Sequence, residues 1–202
     1  MGLAKKRDQK STRAKLLKAA LDVFAKDGYD AATTRNIAKK AGVNESLIHR
    51  YFESKLGLFM ALKEQYREEF ISKFLEKYEE SSSLEDEIRT FLRFKIEITR
   101  KNKKFFRLSV SRAILDPDTR ETVQSYAKMK PRELVTRFER LRQKGLIRKD
   151  ADIDSVLDIV HVFSFALSML SEGISCITDA ELDKLIETTT VTLTRGLAPR
   201  KS

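Results

Sequence analysis

The 202 residues include one cysteine, three prolines, seven glycines and no tryptophan. With Cys176 as the single thiol, no intramolecular disulfide can form, and a reducing cytoplasm is expected in preference to secretion. The two histidines, His49 and His161, lie far apart and leave no metal-ligand spacing, so neither a metal nor a cofactor is expected. Glycine and proline are too scarce for an architecture of many short strands and tight turns. No glycine-rich phosphate loop and no Ser/His/Asp arrangement stands out, which argues against an enzyme. The N-terminal MGLAKKRDQKSTRAK lacks the apolar stretch of a secretory signal. The greasiest run, VLDIVHVFSFALSML at residues 156–170, is short and is interrupted by Asp158 and His161, so a buried helix is expected there and no membrane span.

Charge, by contrast, is abundant and uneven. The formal net charge is +10, and residues 1–55 hold 13 Lys and Arg against 6 Asp and Glu, while residues 56–202 hold 27 against 24. A basic surface concentrated in the first quarter suits nucleic acid, because each neutralised phosphate releases counterions. A solvated basic face is the plain rival. The 41% hydrophobic content is enough for a sizeable core.

Helical periodicity runs from Ser11 onward. Leu17, Leu21 and Phe24 make one apolar stripe, ended by Gly28. Thr33 suits an N-cap for a short helix burying Ile37, Ala38 and Ala41, with Gly42 as its stop, and the next helix is expected to open at Asn44. Ser54 can cap a fourth helix reaching about Glu79. Ser83 with Asp86, and Thr178 with Glu181, fit the capping box. Further helices are expected over roughly 105–115, over 118–144 with a kink at Pro131, and over 153–176. The chain reads as all-α.

Two short helices joined at AGV, residues 41–43, let the first brace the second for entry into a DNA major groove. Ile48 and Phe52 face inward, whereas Asn44, Glu45, Ser46, His49, Arg50 and Tyr51 gather on the first turn and outer face. Short polar side chains and a helix N-terminus suit close approach to phosphates. The stretch TTRNIAKKAGVNESLIHRYFESKLGLF resembles the DNA-binding signature of the TetR family of bacterial transcriptional regulators, and the match extends over residues 11–62. Ser46, His49 and Leu56 depart from the residues frequent in that family, which are glycine, tyrosine and glutamate.

The resemblance implies an N-terminal three-helix helix-turn-helix domain at residues 1–55 and a C-terminal helical domain at 56–202 for ligand binding and dimerisation. It places Thr34 and Arg35 at phosphate and base contacts, Glu45, Ser46, Leu47 and His49 along the groove with Arg50 nearby, and Tyr51 and Lys55 as phosphate anchors. Lys5, Lys6, Arg7 and Lys10 read as a basic tail in preference to an arm along the DNA. The implied partners are a double-stranded, inverted-repeat operator and a second copy of the chain, in the cytoplasm of a bacterium on its nucleoid. The implied action is repression relieved by a lipophilic small-molecule inducer. Candidate pocket residues are Phe91, Phe94, Phe105 and Phe106, then Tyr126, Met129 and Phe138, then Phe163 and Met169, each of which also suits plain core. The competing reading is a helical protein-protein adaptor with an incidental basic N-terminus.

Overall fold

The computed structural model describes residues 2–77, 81–116, 132–174 and 176–199, and among them it contains nine α-helices and no strand. The chain divides into two compact units, Met1–Phe70 with Lys104–Pro117, and Ile71–Lys103 with Asp118–Ser202.

The first unit begins with α1, Gly2–Asp27. The expected basic tail is thus helical, since no glycine or proline interrupts residues 3–27. Leu16, Leu17, Ala20 and Phe24 of α1 are buried, and Gly28 ends the helix at φ 79°. In α2, Thr34–Ala41, the Thr33 hydroxyl accepts the Asn36 N–H, and Gly42 turns the chain at φ 68°. A left-handed residue is needed there, and glycine supplies it without steric cost. Helix α3 spans Ser46–Phe52; Asn44, where it is expected to open, accepts the Ser46 N–H at 2.9 Å, and Glu45 already has helical φ −58° and ψ −32°.

Helix α4, Lys55–Lys77, starts under a Ser54 cap that accepts the Gly57 N–H at 3.0 Å. It contributes Leu58, Phe59 and Leu62 to the core around Ile37, Ile48 and Phe24. Helix α6, Lys103–Leu115, adds Leu108 to that core and stacks Phe105 on Tyr66 with centroids 4.1 Å apart.

The second unit is built on α5, Leu84–Lys101, with α7, Arg132–Gln143, α8, Ile153–Ser168, and α9, Asp179–Leu197. Its core includes Phe74, Ile88, Phe91, Leu92, Phe138, Leu141, Leu157, Val160 and Ile186. Ser83 caps α5 as expected, but Asp86 pairs with Arg89 at 2.7 Å, so the reciprocal half of that capping box is not formed. The Thr178–Glu181 box is complete. Gly145, at φ 76°, follows α7, while the expected kink at Pro131 and the helix before it lie outside the described residues. Helix α8 passes into a π-turn over Met169–Gly173, where Ile174 N–H reaches the Met169 carbonyl at 2.9 Å, and the helix therefore stops short of Cys176.

Ile153–Glu172 is long and apolar enough to cross a membrane by length and composition, with mean hydropathy 1.6, which corrects the expectation that this run is too short. Its Ile153, Leu157, Val160 and Leu167 are buried in the second unit, while Ile159, Val162 and Phe165 are exposed, so the expected buried helix is covered on one face only. Arg89 and Arg93 of α5 both bind Glu187 of α9, and Arg137 forms a buried pair with Glu87 at 3.1 Å beneath the Phe74 ring. Removing one partner of such a buried pair leaves the other charge uncompensated.

Candidate nucleic-acid interface

Helix α3 divides cleanly into a rooted and a free face. Ile48 and Phe52 are buried, Leu47 and Tyr51 lean on the core edge, and Ser46, His49 and Arg50 are exposed. Burying two residues four apart fixes the helix's rotation, and so decides which side chains point outward. Arg35 and Asn36, in the first turn of α2, are exposed as well. The Arg50 guanidinium lies 6.0 Å from the Tyr51 ring, which itself meets Phe52 edge-on.

Two further candidates bond to each other, for the Thr34 hydroxyl donates to the Glu45 carboxylate. That link joins the start of α2 to the start of α3 and holds a carboxylate at the α3 N-terminus, where the helix dipole favours it. As an acceptor so placed, Glu45 suits a cytosine amino group and repels a phosphate.

Lys55 is positioned differently from a dangling anchor. Its ammonium donates to the carbonyls of Tyr29 at 2.9 Å, Asp30 at 3.2 Å and Ala32 at 3.0 Å, and lies 4.5 Å from the centre of the Tyr29 ring. All three of its protons are engaged in holding the α1–α2 turn. From α6, Arg112 stacks 3.8 Å from the centre of that same ring and pairs with Asp30 at 3.0 Å and with Asp116. Burial is the largest influence on the Tyr29 hydroxyl and raises its pKa.

Sequence reasoning passed over four contributors. Arg13 of α1 lies 5.3 Å from the centre of the Phe52 ring. Glu53 ends α3 with φ 65°, a conformation ordinarily left to glycine. Gly57 sits where a Cβ would come within 1.9 Å of the Phe52 carbonyl oxygen; a glycine inside a helical pattern is the available signal of such close approach. Arg112 carries no local signal at all, being 82 residues from Asp30.

The aromatic pocket candidates are distributed between the two units. Phe91 and Phe94 are buried against Phe74, Phe138 is core, and Phe105 belongs to the first unit with Phe106 next to it. Phe163 and Met169 are half-buried, and Tyr126 and Met129 lie outside the described residues. Phe94 also borders a surface cleft of about 400 Å³ with Lys73, Glu76, Lys77, Glu97, Ile98 and Lys101. Burial lowers the ammonium groups of Lys63 in the first unit and Lys95 in the second to about 8. Among the described residues no group of three or more His, Cys, Asp or Glu is placed to hold a metal ion.

Comparison with known proteins converges on the same segment. Residues 16–62 match the family described as "Bacterial regulatory proteins, tetR family". The uncharacterized HTH-type transcriptional regulator YvkB of Bacillus subtilis is 27% identical over 188 residues, spanning 93% of this chain and 97% of that one. The HTH-type transcriptional activator FasR of Mycolicibacterium smegmatis is 38% identical over 60 residues, which are 30% of this chain and 27% of that one. In fold, a TetR-family transcriptional regulator from Syntrophomonas wolfei superposes with a TM-score of 0.78 at 20% identity, over 93% of this chain and 97% of that one. Residues 16–62 thus carry the helix-turn-helix segment of the TetR family of bacterial regulatory proteins, and the chain shares the helical fold of solved TetR-family structures.

Proposed function

We propose that the protein is a repressor that binds an inverted-repeat operator as a homodimer and is released by a small, lipophilic inducer. The observation that carries the DNA half is the exposed face of α3, where Ser46, His49 and Arg50 stand out above a buried Ile48–Phe52 root. Binding to duplex DNA should weaken steeply with salt, as phosphate contacts require. Equal affinity at low and high salt would contradict the proposal.

Dimerisation is supported by the apolar residues that α8 and α9 leave exposed. Ile159 is 53% exposed, Val162 64% and Leu185 36%. Solvent-facing isoleucine and valine one turn apart on a core helix suit an isologous contact in which each copy covers the other. Two such copies present recognition helices about 34 Å apart, one turn of DNA. The same exposed face could serve an adaptor, but an adaptor leaves the exposed polar face of α3 without a task.

For release, an inducer bound to the second unit shifts the population toward a state with lower operator affinity, by no more than its differential affinity for the two states. Coupling of about 1–3 kcal/mol corresponds to roughly 5–150-fold. Helix α4 supports this route, since it runs unbroken from Lys55 in the first unit to Lys77 in the second. If every compound that binds the second unit left operator affinity unchanged, induction by ligand would be excluded. A regulator of this kind acts on the bacterial nucleoid in the cytoplasm, and its role is regulatory instead of enzymatic.

A further inference from the structure

Glu53, which ends α3, is the one non-glycine residue with positive φ among the described residues, at φ 65° and ψ −42°. Across it the Ser54 N–H closes on the Phe52 carbonyl at 2.7 Å. This is a γ-turn of the rare, strained hand. Such a conformation persists only where its surroundings over-determine it, and such outliers gather at functional sites. Three contacts do so here. The Glu53 N–H donates to the His49 carbonyl at 3.0 Å, the Ser54 hydroxyl accepts the Gly57 N–H at 3.0 Å, and the bare Cα of Gly57 lets α4 lie against the Phe52 carbonyl.

The turn also reaches the outer face of α3, because the Glu53 carbonyl lies 3.2 Å from His49 Nδ1. A carbonyl oxygen only accepts, so Nδ1 carries the hydrogen. In the neutral ring Nε2 is then a lone pair, held outward on an exposed side chain. Only two groups donate hydrogen bonds into the major groove, adenine N6 and cytosine N4, whereas guanine and thymine offer acceptors.

We propose that the γ-turn centred on Glu53 positions His49 as a hydrogen-bond acceptor, so that His49 reads an exocyclic amino group of adenine or cytosine in each half-site. This rests on the DNA-binding reading above and adds to it the chemistry that one residue selects. Without the tether the ring turns freely and presents either nitrogen. With it, one hydrogen-bonding polarity is chosen before DNA arrives, and no entropy of ring orientation is lost on binding.

The test uses the full chain at pH 8 and the duplex that it selects from a random pool. Bases are replaced singly by purine or 2-pyrimidinone, which lack the amino group, and by 7-deazapurines, which lack the N7 acceptor. The expected result is one position per half-site where losing the amino group weakens binding roughly fivefold, as for one hydrogen bond. That loss should vanish in His49→Ala, return in part with His49→Gln, whose amide oxygen reaches the Nε2 position, and stay absent in His49→Asn. Glu53→Pro, which cannot adopt a positive φ, should abolish the amino-group sensitivity while keeping salt-dependent binding to random duplex.

Sensitivity to 7-deaza bases through His49, or no base whose effect depends on His49, would overturn the acceptor assignment and leave DNA binding standing. Retained sensitivity in Glu53→Pro would overturn the positioning role. If no duplex is bound at all, the DNA-binding reading fails and this inference fails with it.

Discussion

At the scale of single residues, the junction between α3 and α4 is where small changes have the largest consequences. A Cβ at Gly57 would meet a backbone oxygen at 1.9 Å, and backbone cannot swing aside as a side-chain end can. Gly57→Ala should therefore destabilise the first unit by about 2 kcal/mol or more, read as a lower melting temperature with loss of operator binding. Glu53→Gly should act in the opposite sense and raise stability by about 0.5–1 kcal/mol, since glycine adopts positive φ without the clash. Lys63 makes stability depend on pH. Its folded value is lowered from 10.5 to about 8 by burial, so the unfolded chain binds that proton more tightly. The penalty is fully present below pH 8 and is relieved as pH rises from about 8 toward 10.5, by at most about 3 kcal/mol. Urea denaturation across that range should show rising stability, with a flatter profile in Lys63→Met.

At the scale of elements, the first unit is held in shape by contacts that bring distant segments to one ring. Arg112 of α6 and Lys55 of α4 both approach Tyr29 at the α1–α2 turn, the arginine side chain being only 11% exposed. Arg112→Ala should cost about 2–3 kcal/mol of stability, from a buried cation leaving its carboxylates and ring. Within the interface, Tyr51→Phe should weaken binding to all sequences alike, whereas Glu45→Ala and His49→Ala should change preference between sequences. Equal loss of preference in Tyr51→Phe and in the other two variants would contradict that division.

The elements also show what a sequence discloses. Thr33, Gly42 and the Thr178–Glu181 box mark their helix ends because caps are made by residues within a few positions of one another. The exposed face of α3 follows from Ile48 and Phe52 for the same local reason. The γ-turn at Glu53 is hidden because its residue type argues against its conformation. The Lys55 ammonium binds carbonyls 23 to 26 residues away, and no local pattern announces such a contact. The π-turn after Ser168 and the helical reach of α1 to Gly2 depend on backbone bonding that residue types leave open.

At the scale of the whole molecule, the proposed function requires two copies. Ile159→Glu or Val162→Glu alters an exposed position, so each variant should fold, sediment as a monomer, and lose roughly 100-fold or more in operator affinity as the second half-site contact is removed. A variant that stays dimeric would place the interface elsewhere. The most direct test of the account is selection of bound sites from a random duplex pool, followed by affinity of the recovered site against salt. The account predicts a two-fold symmetric motif with half-sites one turn of DNA apart and a steep fall in affinity with salt. A motif without symmetry, or weak and uniform binding with no motif, would contradict a dimeric regulator that reads sequence through α3.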